Sequence, residues 1–501
     1  MSLDRTAPAL LSLMLTIAPI AGAQSPSPLP DRDAVARGIA EIFGSGAAPG
    51  MSVVVVVDTA IYYIGGFGDA DVATGRKVTP ETIFYIASST KSFTALATAL
   101  LDREGVVALD APVSRYLPSL ALHAPLSPDR ITLRQLLTHT HGVANDGPVV
   151  FRTAFSGEHD PAMLEKLVAM HAPDERGGAF RYGNIGYNIA SLAIDRATGG
   201  NWKDVLRDRV LEPLGMRQTT AYVSRADARL LAQPYAPADS GFDRVPYAKV
   251  DGNMHAAGGL VSSATDMARW LEVNLHDGML DGRRIFPADL MREVHRLQVS
   301  HADSSGRWPR HGYALGWQVG TYGGDTLLHH FGGFPGFDAH VSFMPGRRVG
   351  VAVLVNGGFG GGLMDQVSQY VYDVLAGRVA PADGATARRA ELEDRIEGAR
   401  ARIAQNRAER RARPQQLPHP LEAYTGAYES TAFGRMVWTV ENGRLAARIG
   451  ALHSVAETFD AAANALRVEL VPGSGSTVRF TFEGDSAVRA VWNDVAFDRV
   501  R

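Results

Sequence analysis

Residues 88–101 read Ser-Ser-Thr-Lys-Ser-Phe-Thr-Ala-Leu-Ala-Thr-Ala-Leu-Leu, and the interpretation of the whole chain starts from this stretch. Its apolar residues recur at helical spacing, and Gly105 stands where such a helix would end. The pattern predicts a buried helix over residues 88–104. Ser88 begins this helix, and Lys91 follows one turn later on the same face.

The Ser88–Lys91 pair combines a nucleophile with a base. A helix N-terminus and apolar surroundings both disfavour a charged lysine and therefore lower its pKa. A neutral lysine can accept the serine proton, and a serine without such a base is a weak nucleophile. The structural alternative is that Ser88 or Ser89 caps the helix while Lys91 lies at the surface. The short pattern alone does not separate the two interpretations.

Two further motifs carry polar groups suited to acyl transfer. In Tyr182-Gly183-Asn184, the phenol could pass a proton to a leaving group, and the amide could orient the lysine. In His330-Phe331-Gly332-Gly333, a glycine after a predicted strand lets substrate lie against the strand edge. The Gly333 N–H could form an oxyanion hole with that of Ser88. His330 would face the cleft as a polar or cationic group, and His329 would face the opposite side. Alternatively, Tyr182 and Asn184 are ordinary turn residues, and the other motif is a glycine-rich loop with a structural histidine.

Composition excludes several other classes of function. The 501 residues carry 50 basic and 53 acidic side chains, so the net charge of −3 gives no basis for binding nucleic acid. Cysteine is absent, which excludes thiolate catalysis and zinc–thiolate sites. Motifs for an α/β-hydrolase elbow, a zinc-peptidase helix and a phosphate loop are also absent. The sequence predicts no metal and no organic cofactor.

The N-terminus predicts export. Arg5 precedes an apolar run over 7–20, and small residues at 21–23 suit signal-peptidase cleavage, so residues 1–23 are interpreted as a signal peptide. An uncleaved anchor is the alternative, although the run is short for a spanning helix. We expect a periplasmic or secreted protein without membrane association after cleavage. Its expected partner is a small-molecule or short-peptide substrate, and the oligomeric state stays open.

Three regions follow the signal peptide. Residues 24–379 mix strand and helix patterns, with a predicted hairpin at Val53–Phe67 and three predicted strands between 326 and 355. This arrangement predicts one sheet closed by remote segments, with a helical subdomain inserted. Residues 380–415 are rich in Arg, Glu and Ala and predict a solvated, charged helical linker. Residues 416–501 hold short alternating strands that predict a small antiparallel barrel or sandwich.

The three motifs, in this order, resemble those of the serine β-lactamase/penicillin-recognising superfamily. Three blocks support the resemblance: residues 136–142, 257–266 and 331–337. The similarity covers roughly residues 33–376 and is greatest to the class C β-lactamase-related group of DD-peptidases, D-aminopeptidases and carboxylesterases.

The resemblance implies an α/β (α+β) fold, in which an antiparallel sheet flanked by helices adjoins an all-helical subdomain. The C-terminal strands resemble lipocalin-like accessory barrels. The resemblance also implies residue roles. Ser88 would be the acylated nucleophile, Lys91 its base and Tyr182 a partner acid or base. Asn184 would supply an orienting amide, His330 and Gly332 would belong to the third motif, and Gly333 would supply an oxyanion N–H.

The third motif departs from that of class C β-lactamases. His330 replaces the usual lysine, and Phe331 replaces the hydroxyl residue that helps to bind a substrate carboxylate. We therefore expect an exported serine hydrolase that forms an acyl-enzyme with amides or esters, favoured as a peptidase or amidase, with D-residues among its substrates. The alternatives are a carboxylesterase, a β-lactamase and a non-catalytic penicillin-binding sensor.

Overall fold

The structure, a computed structural model, describes residues 29–144, 147–303 and 307–500; the predicted signal peptide lies outside this range. Its α-helices are α1 Arg32–Phe43, α2 Thr90–Arg103, α3 Leu133–Leu137, α4 Pro148–Phe151, α5 Pro161–Val168, α6 Ile185–Thr198, α7 Trp202–Leu206, α8 Glu212–Leu214, α9 Ala264–Leu275, α10 Ala288–His295, α11 Gly360–Leu375 and α12 Pro381–Arg411. No helix among the described residues is long and apolar enough to cross a membrane.

The strands up to residue 355 are β1 Gly50–Val57, β2 Ala60–Asp71, β3 Arg76–Lys77, β4 Phe84–Tyr85, β5 Tyr235–Pro237, β6 Phe242–Arg244, β7 Val261–Ser262, β8 Met279–Leu280, β9 Arg283–Arg284, β10 Val299–Asp303, β11 Arg310–Tyr313, β12 Gln318–Tyr322, β13 Asp325–Phe334, β14 Phe337–Met344 and β15 Val349–Val355. The remaining strands are β16 Gly426–Ser430, β17 Gly434–Glu441, β18 Arg444–Ile449, β19 Leu452–Val455, β20 Glu457–Asp460, β21 Ala465–Val468, β22 Ser476–Glu483, β23 Ser486–Trp492 and β24 Val495–Arg499.

The central sheet has nine antiparallel strands in the order β10-β11-β12-β13-β14-β15-β1-β2-β3. The N-terminal hairpin therefore pairs with strands almost 300 residues later, with Val53 opposite Val353. This closure of one sheet by remote segments confirms the predicted α/β fold.

The valine run of β1 explains why helices cover both faces of the sheet. Val53 and Val55 face the core beneath α1 and α11, whereas Val54 and Val56 face the core beneath α2 and α9. All four side chains are buried. A strand buried on both faces is a continuous apolar run, because alternate side chains enter different cores. Most of α3 to α8 forms the inserted helical subdomain.

Helix α12 begins near the predicted boundary of the charged segment, but it is not surrounded by solvent. Leu392 and Ile396, four residues apart on one face, are buried in the core that also contains α1 and α11. Arg388 forms an ion pair with Asp373 of α11. The helix is therefore packed on the first domain along much of its length.

The C-terminal strands form a nearly closed, nine-stranded antiparallel barrel in the order β19-β18-β17-β16-β24-β23-β22-β21-β20. Its two edge strands, β19 and β20, follow one another in the chain. Trp438, Phe480 and Trp492 fill the interior and are at most 4% exposed. The predicted small all-β barrel is confirmed.

Candidate active site

Ser88 lies in a tight 3-10 turn, Ala87–Ser89, that leads directly into α2. Ala87 has a φ of +43°, in the left-handed region that residues with a Cβ rarely adopt. Hydrogen bonds fix the turn on two sides: Ile86 N–H donates to Leu260 O at 3.0 Å, and the Ser89 hydroxyl donates to His330 O at 3.1 Å. Such strain persists where the surroundings enforce it, which is common at active sites.

The Lys91 amine is completely buried and has three polar neighbours. Its Nζ lies 3.1 Å from Ser88 Oγ, 2.8 Å from Asn184 Oδ1 and 2.8 Å from the carbonyl oxygen of Ala257. Burial holds the pKa of Lys91 well below its usual value. A neutral amine has two N–H donors and one lone pair. The two carbonyl oxygens can accept the donors, which leaves the lone pair for the Ser88 hydroxyl.

Tyr182 lies on the other side of Ser88. Its phenol shares a hydrogen bond with the Ser88 hydroxyl, and Lys91 Nζ lies 4.8 Å from the centre of its ring. Burial raises the pKa of Tyr182 above its ordinary value, while the hydrogen bond with Ser88 and, more weakly, the charge of Arg310 oppose the rise. The residue as a whole is 39% exposed, so solvent moderates this effect. Tyr182 therefore stays a protonated phenol near neutral pH, with one side open to the cleft.

His330 is buried beneath the cleft and is neutral. Its Nδ1–H donates to Phe331 O at 3.0 Å, and its Nε2 accepts from the Tyr313 hydroxyl at 3.2 Å. Burial lowers the pKa of His330 well below its ordinary value, and Lys91, when protonated, lowers it further. Of the two roles considered from the sequence, the geometry supports the neutral polar group. His329 faces the opposite core and stacks on Phe331.

The two glycines of the third motif have different surroundings. A Cβ at Gly332 would lie 2.0 Å from Ile86 O, so only glycine lets β13 approach the nucleophile turn this closely. A Cβ at Gly333 would meet nothing closer than Asp338 Oδ1 at 3.9 Å, and this residue is exposed. Strand β12 pairs only with residues 325–329 of β13, so the edge beside Gly333 is not covered by β12. The oxyanion role of the Ser88 and Gly333 N–H groups stays a prediction.

The structure brings the predicted residues of all three motifs to one place, and it adds supporting residues that the sequence did not reveal. His139 has a φ of +61°. Its Nδ1 accepts a hydrogen bond from Gly183 N–H, and its carbonyl oxygen accepts one from Arg181 N–H. Tyr313 fixes His330. The block at 136–142 signalled the region around His139, but nothing in the sequence identified Tyr313.

The fold and this cluster define a class of protein: hydrolases with a β-lactamase-like fold and an active-site serine. The model of the β-lactamase family matches residues 33–376, which is more than half of the chain. The chain belongs to the β-lactamase family. The predicted resemblance is therefore confirmed.

Individual relatives are 25–30% identical to the chain over the aligned residues. The unguisins hydrolase ungD' of Aspergillus campestris is 30% identical over 330 residues, which cover 62% of this chain and 58% of the relative. Penicillin-binding protein 4 of Amycolatopsis lactamdurans is 27% identical over 66% of this chain and 86% of its own. The chain thus spans about three fifths of the length of the fungal hydrolase.

Solved structures support the fold over most of the chain. The octameric penicillin-binding protein homologue from Pyrococcus abyssi aligns with 93% of this chain and 99% of its own, with a TM-score of 0.58 and 21% identity. The D-amino acid amidase from Ochrobactrum anthropi SV3 covers 71% of this chain and 97% of its own, with a TM-score of 0.57 and 23% identity. At these identities the similarity concerns the fold alone.

Proposed function

We propose that the protein hydrolyses amide bonds through an acyl-enzyme on Ser88, as an amidase or peptidase. The observation that carries the proposal is the environment of Lys91. Its buried amine has two carbonyl oxygens and the Ser88 hydroxyl as polar neighbours, and no carboxylate lies among them. This arrangement suits a neutral base and not a structural ion pair.

The acylation step follows from the contacts. Lys91 accepts the Ser88 proton while Oγ forms a bond to the substrate carbonyl carbon. The N–H groups of Ser88 and Gly333 stabilise the resulting oxyanion. The C–N bond then breaks, and the leaving amine takes a proton from Tyr182, which recovers one from Lys91. Water next attacks the acyl-enzyme, gives one proton back to Ser88 through the same groups, and releases the acid.

Proton delivery favours amides over esters. An amine leaving group must be protonated as the C–N bond breaks, whereas an alkoxide leaves more easily. Tyr182 provides a protonated phenol in hydrogen-bond contact with Ser88. The neutral His330 and the apolar Phe331 lack the groups that bind a β-lactam carboxylate, which argues against β-lactamase activity. Hydrolysis at D-residues is included in the proposal because the fold is shared with a D-amino acid amidase.

The experiment is a panel of substrates with matched leaving groups: D- and L-aminoacyl amides, DD-dipeptides, short-chain esters and a cephalosporin. The wild type should hydrolyse amides with turnover, and Ser88→Ala should lose at least about a thousandfold in kcat/KM. Full activity in Ser88→Ala would disprove the mechanism. Faster hydrolysis of esters than of amides would indicate a carboxylesterase, and stable labelling of Ser88 without turnover would indicate a sensor.

Export is also part of the proposal, since Arg5 and the apolar run over 7–20 have the pattern of a signal peptide. The purified mature protein should begin at Gln24. Recovery of the intact N-terminus from the cytoplasm would contradict export. The proposed partners are small-molecule or short-peptide substrates.

A further inference from the structure

A partly buried lysine lies next to the elements that form the active site. Lys249 follows β6 in the segment that leads to Ala257, the residue whose carbonyl oxygen contacts Lys91. Its Nζ lies 3.7 Å from the centre of the Phe334 ring and 4.5 Å from that of Tyr85. Phe334 directly follows Gly333, and Tyr85 precedes Ser88 by three residues. The amine is therefore next to both sides of the cleft.

The polar neighbours of Lys249 carry no negative charge. Nζ donates to Ala154 O at 2.8 Å and, more weakly, to Asn253 O at 3.4 Å. No carboxylate of a described residue pairs with it, and burial alone accounts for the lowering of its pKa. Lys77, by contrast, pairs with Asp69 at 2.6 Å. An ammonium has three donors, so a ligand can accept from the third.

Lys249 and Lys91 share a neighbour in His255, which lies between Lys249 and Ala257 in the chain. Burial is the main cause that lowers the pKa of His255, and either amine, when protonated, lowers it further. Gly258 lies between His255 and the nucleophile turn. A Cβ added at Gly258 would be 3.0 Å from Nε2 of His255, which is 7% exposed. It would also be 3.5 Å from the carbonyl carbon of Ala87, which is bonded to the Ser88 nitrogen. This wall of the cleft is thus close to the nucleophile and holds an amine for which no described residue supplies an anionic partner; a bound carboxylate would favour the charged form of that amine.

We propose that Lys249 is a specificity-determining residue that binds a carboxylate on the acyl part of the substrate. The side of Gly333 on which the amine lies, along β13, determines whether the amine meets the acyl part or the leaving group of the substrate. A substrate carbonyl bound at Gly333 has His330 on one flank and Phe334 with Lys249 on the other. His330 is neutral, so a charged group on the substrate finds its partner in Lys249, and the preferred acyl groups are acidic.

This inference rests on the proposed function, because it assigns a substrate class to the same site. The test uses the full-length protein and the mono-p-nitroanilides of glutaric and succinic acid. Each compound with its free carboxylate is compared with the same anilide in which that carboxylate is a methyl ester. The wild type should prefer the free acids by roughly tenfold or more in kcat/KM, as expected for a charge-assisted hydrogen bond. Equal rates for acid and ester would overturn the inference, whatever the behaviour of any variant.

Variants separate binding from a structural role. Lys249→Met should lower kcat/KM for the free acids more than for their methyl esters, so that the two values become equal; Lys249→Arg should retain the preference. Lys249→Glu should favour the 4-aminobutyryl analogue. The matched control is Lys77→Met, which removes an exposed lysine and should keep the preference. An equal loss for acid and ester in Lys249→Met would show a structural role and overturn the inference. If no compound acylates Ser88, as followed by mass spectrometry, the proposed function itself fails.

Discussion

The burial of Lys91 determines how the site should respond to pH. The base must be neutral to accept the Ser88 proton, and burial lowers its pKa well below the usual value. Below that pKa the amine is protonated and inactive, so kcat/KM should rise with pH through the lowered value and level off well before pH 10.5. The measurement is a pH profile of kcat/KM with a neutral amide. An ascending limb centred near pH 10.5 would contradict the assignment of Lys91 as a desolvated base.

Tyr182 should control the opposite limb of the same profile. Its pKa is raised, so the phenol stays protonated until the pH exceeds its ordinary value near 10. Activity should fall only above this pH. Tyr182→Phe should lower kcat/KM for amides more than for esters, since esters depend less on protonation of the leaving group. An equal loss for both substrates would argue against proton delivery by Tyr182.

The glycines of the third motif allow a test in which one methyl group is added at adjacent positions. Gly332→Ala places a Cβ 2.0 Å from Ile86 O, so β13 must move away from the nucleophile turn. We expect a loss of about 1–3 kcal/mol in the free energy of unfolding and a large loss of activity. Gly333→Ala has open space and should unfold like the wild type. The measurement is denaturant unfolding of both variants. Similar free energies of unfolding would contradict the close approach of Gly332 to Ile86 O.

At the scale of elements, long apolar patterns were predictable and packing partners were not. The valine run of β1 and the periodicity of α2 depend on local side-chain spacing, which a sequence displays directly. The contact of Tyr313 with His330 depends on the register of β11 through β13, which involves turns and a bulge without a distinctive sequence. The motifs identified the reacting groups because catalysis restricts their residue types. Catalysis does not restrict in the same way the types of the residues that support these reacting groups.

Helix α12 shows the same limit. Its start and its helical state follow from composition, but Leu392 and Ile396 stand among so many charged residues that the apolar face is not evident. Leu392 is 1% exposed in the core beneath α1 and α11. Leu392→Ala should therefore cost about 2–5 kcal/mol in the free energy of unfolding. Glu397→Ala, on the exposed side of the same helix, should change it by less than about 0.5 kcal/mol. Equal effects in thermal or denaturant unfolding would favour a solvated linker.

At the scale of the whole molecule, the barrel contacts the helical subdomain at a π-helical turn, Arg152–Ser156. Arg152 Nε–H donates to Ala432 O at 3.2 Å, and Ala451 N–H donates to Ser156 O at 3.0 Å. Both barrel residues lie in connections between strands. The π-helical turn also contacts the cleft wall, because Phe155 stacks on Phe334 with ring centres 5.3 Å apart. A continuous set of contacts thus joins the barrel to the residue that follows Gly333.

This connection predicts that the barrel supports the acyl side of the cleft and is not an independent binding module. Phe433 of the barrel packs on Phe151, with ring centres 5.1 Å apart, just before the π-helical turn. Phe433→Ala should loosen the turn, so that kcat/KM for amides falls severalfold while a fluorophosphonate can still phosphonylate Ser88, with loss of fluoride. Phe459→Ala removes a barrel phenylalanine that is 47% exposed and serves as the matched control. If both variants keep wild-type kinetics, the barrel does not act through this contact. Deletion of residues 415–501 would then show whether substrate range depends on the barrel at all.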